Sequence, residues 1–106
     1  MKRSLRDLAK IVRSKNSGPF EVTLDVVFDD ARTYRIVKAS GALSRETVAA
    51  LYGLRPDQVL TAEFFDPALA FKATLPRVVS SGSPAERDTY GGQQGAPLLD
   101  IAVDMP

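Results

Sequence analysis

The sequence predicts an α+β fold: a two-layer sandwich whose mainly antiparallel four-stranded sheet carries helices on one face, with a ferredoxin-like layout as one way to arrange it. Three observations carry this reading. Phe20, Val22, Leu24, Val26 and Phe28 alternate with Glu21, Thr23 and Asp25, the period of a half-buried strand. Two more alternating runs flank Asp66-Pro67-Ala68 and read as a hairpin. Elsewhere apolar residues recur at helical spacing and stop at glycines.

The elements follow in order. Ser4 and Asp7 form a capping pattern, and Leu5, Leu8, Ala9 and Val12 fall at i, i+3, i+4 and i+7, so a helix is expected over 5–15, ended by Gly18-Pro19. Lys2, Arg6, Lys10 and Arg13 then form a basic stripe on its other side, in the plainest reading a solvated face. After the first strand, Asp29 and Asp30 can cap a second helix over 31–39, with Ala31, Tyr34 and Val37 inward and Gly41 as its stop. Ser44 caps a third, short helix that turns Val48, Leu51 and Tyr52 inward and ends at Gly53, and Glu46 suits the dipole at its start. The turn Arg55-Pro56-Asp57 leads into the run Val59 to Phe65, with Leu60, Ala62 and Phe64 on one face. The return run holds Leu69, Phe71, Ala73 and Leu75 on one face and Lys72 and Thr74 on the other, and Pro76 ends its pairing. Residues 77–97 show no clear period, and Leu99, Ile101 and Val103 suggest the last strand.

The 106 residues form a single domain, 1–106, with room for one core. With 44% apolar and 25% charged residues the composition is that of an ordinary globular chain. There is no Cys and no His, which removes disulfides, zinc-thiolate sites, thiolate nucleophiles and any triad with a His or Cys member. No apolar run is long enough to cross a bilayer and the first seventeen residues do not resemble a signal peptide, so the expectation is cytoplasmic with no membrane partner. The net charge of +1 and the lack of aromatics among the N-terminal cations argue against nucleic acid. No cofactor or metal is called for.

Candidate binding residues lie in three stretches. At 13–18, Arg13, Ser14, Lys15 and Asn16 would sit at a helix C-terminus, where their side chains could hold an anion or could simply complement the dipole and cap the helix. Lys72 and Arg77, at the two ends of the third run, could reach a carboxylate or phosphate, or protect a sheet edge. In the long loop, Ser81 and Ser83 belong to a Ser/Gly segment that can offer backbone N–H groups. Tyr90, Gln93 and Gln94 are of the kind that anchor an interface or contact a ligand. Asp25, Asp29 and Asp30 could together hold a divalent cation, but the spacing is no recognised metal motif and capping explains the last two.

Ser14-Lys15-Asn16 before Gly18-Pro19-Phe20, the run Phe64-Phe65-Asp66-Pro67-Ala68-Leu69-Ala70-Phe71-Lys72, and the tail from Tyr90 to Leu99 together resemble the bacterial domain-of-unknown-function family numbered 4387. The resemblance implies a small protein encoded beside large AtuA-like (acyclic terpene utilisation) proteins, among genes for organic-acid or acyl-CoA catabolism. It implies no reaction. The expected function is therefore an accessory subunit of a heteromeric catabolic enzyme, a lyase/hydratase or isomerase on organic acids. In it an AtuA-like large subunit is the partner, and Lys15, Asn16, Lys72 and Arg77 help hold a carboxylate or acyl-CoA type substrate. The alternative is a stand-alone module that binds an anionic small molecule, as a monomer or a homo-oligomer.

Overall fold

In the structure, a computed structural model that describes residues 1–16, 18, 20–76 and 96–105, the strands and helices run in one order. They are β1 (Lys2–Ser4), α1 (Leu5–Leu8), β2 (Ile11–Asn16), β3 (Glu21–Val27), α2 (Ala31–Ser40), α3 (Arg45–Leu51), β4 (Thr61–Phe65), β5 (Ala70–Pro76) and β6 (Ala102–Asp104). Both edges of β3 are paired: the main sheet has the order β2-β3-β5-β4 and every ladder in it is antiparallel. A second sheet consists of β1 and β6 alone. The α+β class with a four-stranded antiparallel sheet is thus the observed one. The ferredoxin-like layout is followed in part: β3 and β4 run parallel on either side of β5 and are joined through α2 and α3 as a split βαβ unit, while the fourth place in the sheet is filled by β2 from the N-terminal side.

Two strands differ from the expectation, for related reasons. The helix expected over 5–15 is a single turn, Leu5–Leu8, and Ile11–Asn16 is a strand. Leu5, Leu8, Ala9 and Val12 do fit a helical stripe, yet Ile11, Val12, Arg13, Ser14, Lys15 and Asn16 also alternate outward and inward, and Ile11 and Val12 are β-branched. Pairing decides between the two periods. As a strand this segment covers an edge of β3 that would otherwise expose its backbone donors and acceptors. The place expected for the last strand of the main sheet is thereby taken, and β6 pairs with β1 instead. Residues Ala96–Asp100 form a 3-10 turn, and Leu98 and Val103 are fully buried in the same core as the main sheet.

The inner face of the sheet carries Val22, Leu24, Val26, Phe71, Ala73 and Leu75, all buried, and α2 and α3 cover it with Tyr34, Val37, Val48 and Ala49. The helix ends follow local chemistry. Asp30 accepts from the Thr33 N–H at 3.0 Å and Ser44 from the Thr47 N–H at 3.1 Å. Gly41, at φ 78°, closes α2 in the left-handed conformation that a side chain would disfavour. Ala31 and Leu51, expected inward, are exposed; so is Leu60 at the start of β4, whereas Ala49 is buried. Among the described residues no helix is long and apolar enough to cross a membrane.

Candidate functional site

Two regions gather ionisable groups. The first is the outer face of the main sheet, away from the helices. Register places Arg13, Asp25, Lys72 and Glu63 directly opposite one another across β2, β3, β5 and β4, a rank of alternating charge. Above it lie Lys15, Thr23, Thr74 and Thr61, and below it Ile11, Val27, Ala70 and Phe65. Every second residue of a strand shares a face, so these twelve positions form one surface. Asp25 is the anomaly, because it is only 3% exposed on a face whose other charges are in water. Arg13 Nε donates to Asp25 Oδ2 at 3.1 Å, but Asp25 Oδ1 has no partner among the described residues. Lys72, its neighbour in the rank, instead holds its ammonium 5.9 Å from the centre of the exposed Phe65 ring. Leaving a buried oxygen unpaired costs about 1–3 kcal/mol.

The second region is a groove of about 700 Å3 between α2 and the β4–β5 turn, lined by Tyr34, Arg35, Lys38, Ala39, Asp66 and Leu69. Tyr34 and Lys38 stand one helical turn apart and share a face of α2. Asp66 reaches them from the turn Asp66–Ala68, accepting a short hydrogen bond from the Tyr34 hydroxyl and a 2.8 Å bond from Lys38 Nζ. Leu69 closes that turn in the left-handed region at φ 51°, a position that costs a non-glycine about 1–2 kcal/mol. Two backbone bonds hold it there: its N–H donates to the Asp66 carbonyl at 3.0 Å and its carbonyl accepts from Phe28 N–H at 2.9 Å. Under the groove runs an aromatic chain, with Tyr34 5.9 Å from Phe64 and Phe64 5.0 Å from Phe71 between ring centres.

The protonation states in the groove are fixed well away from neutrality. Burial, followed by the hydrogen bond to Asp66, pushes the Tyr34 hydroxyl up to about 12. The hydrogen bond from Lys38, then that from Tyr34, holds Asp66 below the usual carboxylate range. A tyrosine this hard to deprotonate and a carboxylate this hard to protonate make a poor general base and general acid at pH 7. Lys38 is committed to Asp66. Arg35 has no ion pair among the described residues and supplies the uncompensated positive charge at the groove.

The sequence-derived candidates are divided by this structure. Arg13, Lys15 and Lys72 come together on the outer face, although on strands rather than at the helix end expected for 13–16. Ser14 and Asn16 alternate to the opposite, helix-covered face, and Ser14 is only 7% exposed. Arg77, Ser81, Ser83, Tyr90, Gln93 and Gln94 lie outside the described residues. Asp25 and Asp30 part ways, Asp25 to the sheet and Asp30 to the α2 cap, where the hydroxyl and N–H of Thr33 hold Asp30 low. Among the described residues no group of three or more potential ligands could hold a metal ion. Arg35 and Lys38 escaped the sequence reading, Asp66 was read as a turn residue, and Tyr34 as core alone. The i, i+4 spacing of Tyr34 and Lys38 was the available signal; their meeting with Asp66 depends on the tertiary fold.

The chain belongs to the domain-of-unknown-function family 4387, whose model matches residues 5–102. No curated protein and no solved structure matches it.

Proposed function

We propose that this member of the family is a binding subunit, whose groove beside α2 holds the carboxylate of a small organic or acyl acid for a larger partner that carries out the chemistry. The observation that carries the reading is the electrostatics of the groove: Tyr34, Lys38 and Asp66 satisfy one another, and Arg35 is left over. A guanidinium beside apolar walls at Leu69 and Ala39 suits an anionic head on an apolar body, since its planar fork accepts a carboxylate by two hydrogen bonds. A site without a thiol, an imidazole or a base poised near neutrality suits holding a substrate better than transforming it. The partner proposed is the AtuA-like large protein that the family resemblance implies, in a cytoplasmic lyase/hydratase or isomerase acting on organic acids.

Co-expression of the two chains followed by size-exclusion chromatography tests the partnership, with co-elution expected; independent elution at micromolar concentration overturns it. Titration with octanoate, followed by amide chemical shifts of the full chain, tests the groove. Shifts concentrated at Arg35, Lys38, Ala39 and Leu69 are expected, with affinity weakened at least about tenfold in Arg35→Met, which removes both charge-assisted hydrogen bonds. A stand-alone anion-binding module, which the uncompensated charge of Arg35 would serve equally, is the second reading. It is favoured if octanoate binds the isolated chain as tightly as the complex.

A further inference from the structure

The outer face of the sheet has a symmetry that a partner can use. Across β2, β3, β5 and β4 the central rank reads positive, negative, positive, negative: Arg13, Asp25, Lys72, Glu63. That order is antisymmetric about the line between β3 and β5. We propose that this face is the interface of an isologous dimer, in which a second copy of the chain is related to the first by a two-fold axis parallel to the strands and midway between β3 and β5.

Such an axis maps each strand of one sheet onto its mirror position in the other, so β2 faces β4 and β3 faces β5, while each rank stays opposite itself. Arg13 then meets the second copy's Glu63, and the second copy's Lys72 lies over the buried Asp25, each pair twice by symmetry. In the rank below, the exposed Ile11 and Phe65 cover each other across the axis, and Val27 meets Ala70. In the rank above, Thr23 meets Thr74 and Lys15 meets Thr61, with no like charges opposed. All three ranks are compatible at once. The other in-plane axis, perpendicular to the strands, would set Arg13 against Arg13 and Asp25 against Asp25, which is repulsive. Facing sheets pack about 10 Å apart with nearly aligned strands, a gap that arginine and lysine side chains span.

The patch is small. Four strands and about five residues of each give a face roughly 20 Å on a side, below the size of the more stable interfaces. The expected dissociation constant is therefore micromolar or weaker, and dependent on salt. The inference is independent of the groove, whose residues lie on α2 and the β4–β5 turn.

Sedimentation velocity of the full chain in 50 mM salt over roughly 5–500 μM is expected to show the sedimenting mass rise from one chain to two. E63R, which sets arginine against the second copy's Arg13, is expected to raise the dissociation constant at least about tenfold, as is 0.5 M salt. Orientation is tested in chains that keep the charged rank intact. The protein has no cysteine, so K15C and T61C each carry one. A short bismaleimide is expected to join K15C to T61C in a mixture far faster than either variant to itself, since like positions lie about three strand spacings, roughly 14 Å, apart. A chain that stays monomeric at the highest concentration overturns the proposal, as it would if this face served only a different protein. A dimer indifferent to E63R, or equal self- and cross-linking, overturns it as well.

Discussion

The groove and the outer sheet face both centre on an aspartate, and they treat it in opposite ways. Asp66 is exposed and accepts from a tyrosine and a lysine, both on Oδ1. Asp25 is buried and half engaged, with one oxygen on Arg13 and the other on nothing among the described residues. Water would have satisfied Asp66 without help, so its two donors shape a site more than they stabilise a fold. Water reaches Asp25 poorly, so its single donor matters for stability. Burial marks the aspartate that depends on the sheet around it; exposure marks the one that shapes a groove, whose remaining charge, Arg35, is free to act.

The largest test of this contrast sets two adjacent residues against each other. Phe64 and Phe65 point to opposite faces of β4, Phe64 into the aromatic chain under the groove and Phe65 outward at 51% exposure. Phe64→Ala should cost about 2–4 kcal/mol in urea denaturation and disorder the groove, while Phe65→Ala should cost under about 1 kcal/mol. Equal losses would mean that the outer face is as closely packed as the inner one.

Next come the donors. Arg13→Met strips Asp25 of its remaining partner and should cost about 1–3 kcal/mol at pH 7, recovered in large part when Asp25→Asn is added. Lys38→Met, which leaves Asp66 in water with Tyr34 still donating, should change the unfolding midpoint little. If the two substitutions cost the same, burial does not distinguish the sites.

The smallest effect is in pH dependence. Tyr34 titrates at about 12 in the folded chain and near 10 unfolded, so its contribution is complete below pH 10 and is lost as pH rises from 10 towards 12. Tyr52, raised by burial alone, adds to the same loss. Tyr34→Phe should flatten the decline in stability over that interval without removing it. Asp66 acts at the other end: held low in the folded state, it contributes above the unfolded carboxylate value near 4, and the contribution disappears as pH falls through the folded value. Denaturant midpoints measured from pH 2 to pH 12 would show both arms, and an unchanged alkaline slope in Tyr34→Phe would contradict the assignment.

Much of this fold was legible residue by residue because it is enforced locally. Alternation over 21–27 and 70–76 needs only a sheet with one wet face, and Asp30, Ser44 and Gly41 cap their helices through backbone groups a few residues away. The segment 11–16 was not decidable in this way, because its residues satisfy helical and strand periods together. The competition was settled by the open edge of β3, which is remote information for a local pattern. The pairing of the tail was missed as a consequence, since β2 supplies the fourth strand of the main sheet and β6 pairs with β1.

Function divides along the same line. By itself the sequence determined the chemical inventory: without histidine or cysteine, any reaction this chain serves has to be carried by carboxylates, lysines, hydroxyls or a partner. It could not determine which charges meet. Arg13 and Asp25, Asp25 and Lys72, Lys72 and Glu63 are neighbours only through strand register, and Tyr34 meets Asp66 across thirty-two positions of chain. Register and long-range packing are properties of the whole hydrophobic core, and shifting a strand by one residue would turn this charged rank inward. The tertiary structure alone decided that Arg13, Lys15 and Lys72 lie on an open sheet and that the groove belongs to residues beside α2.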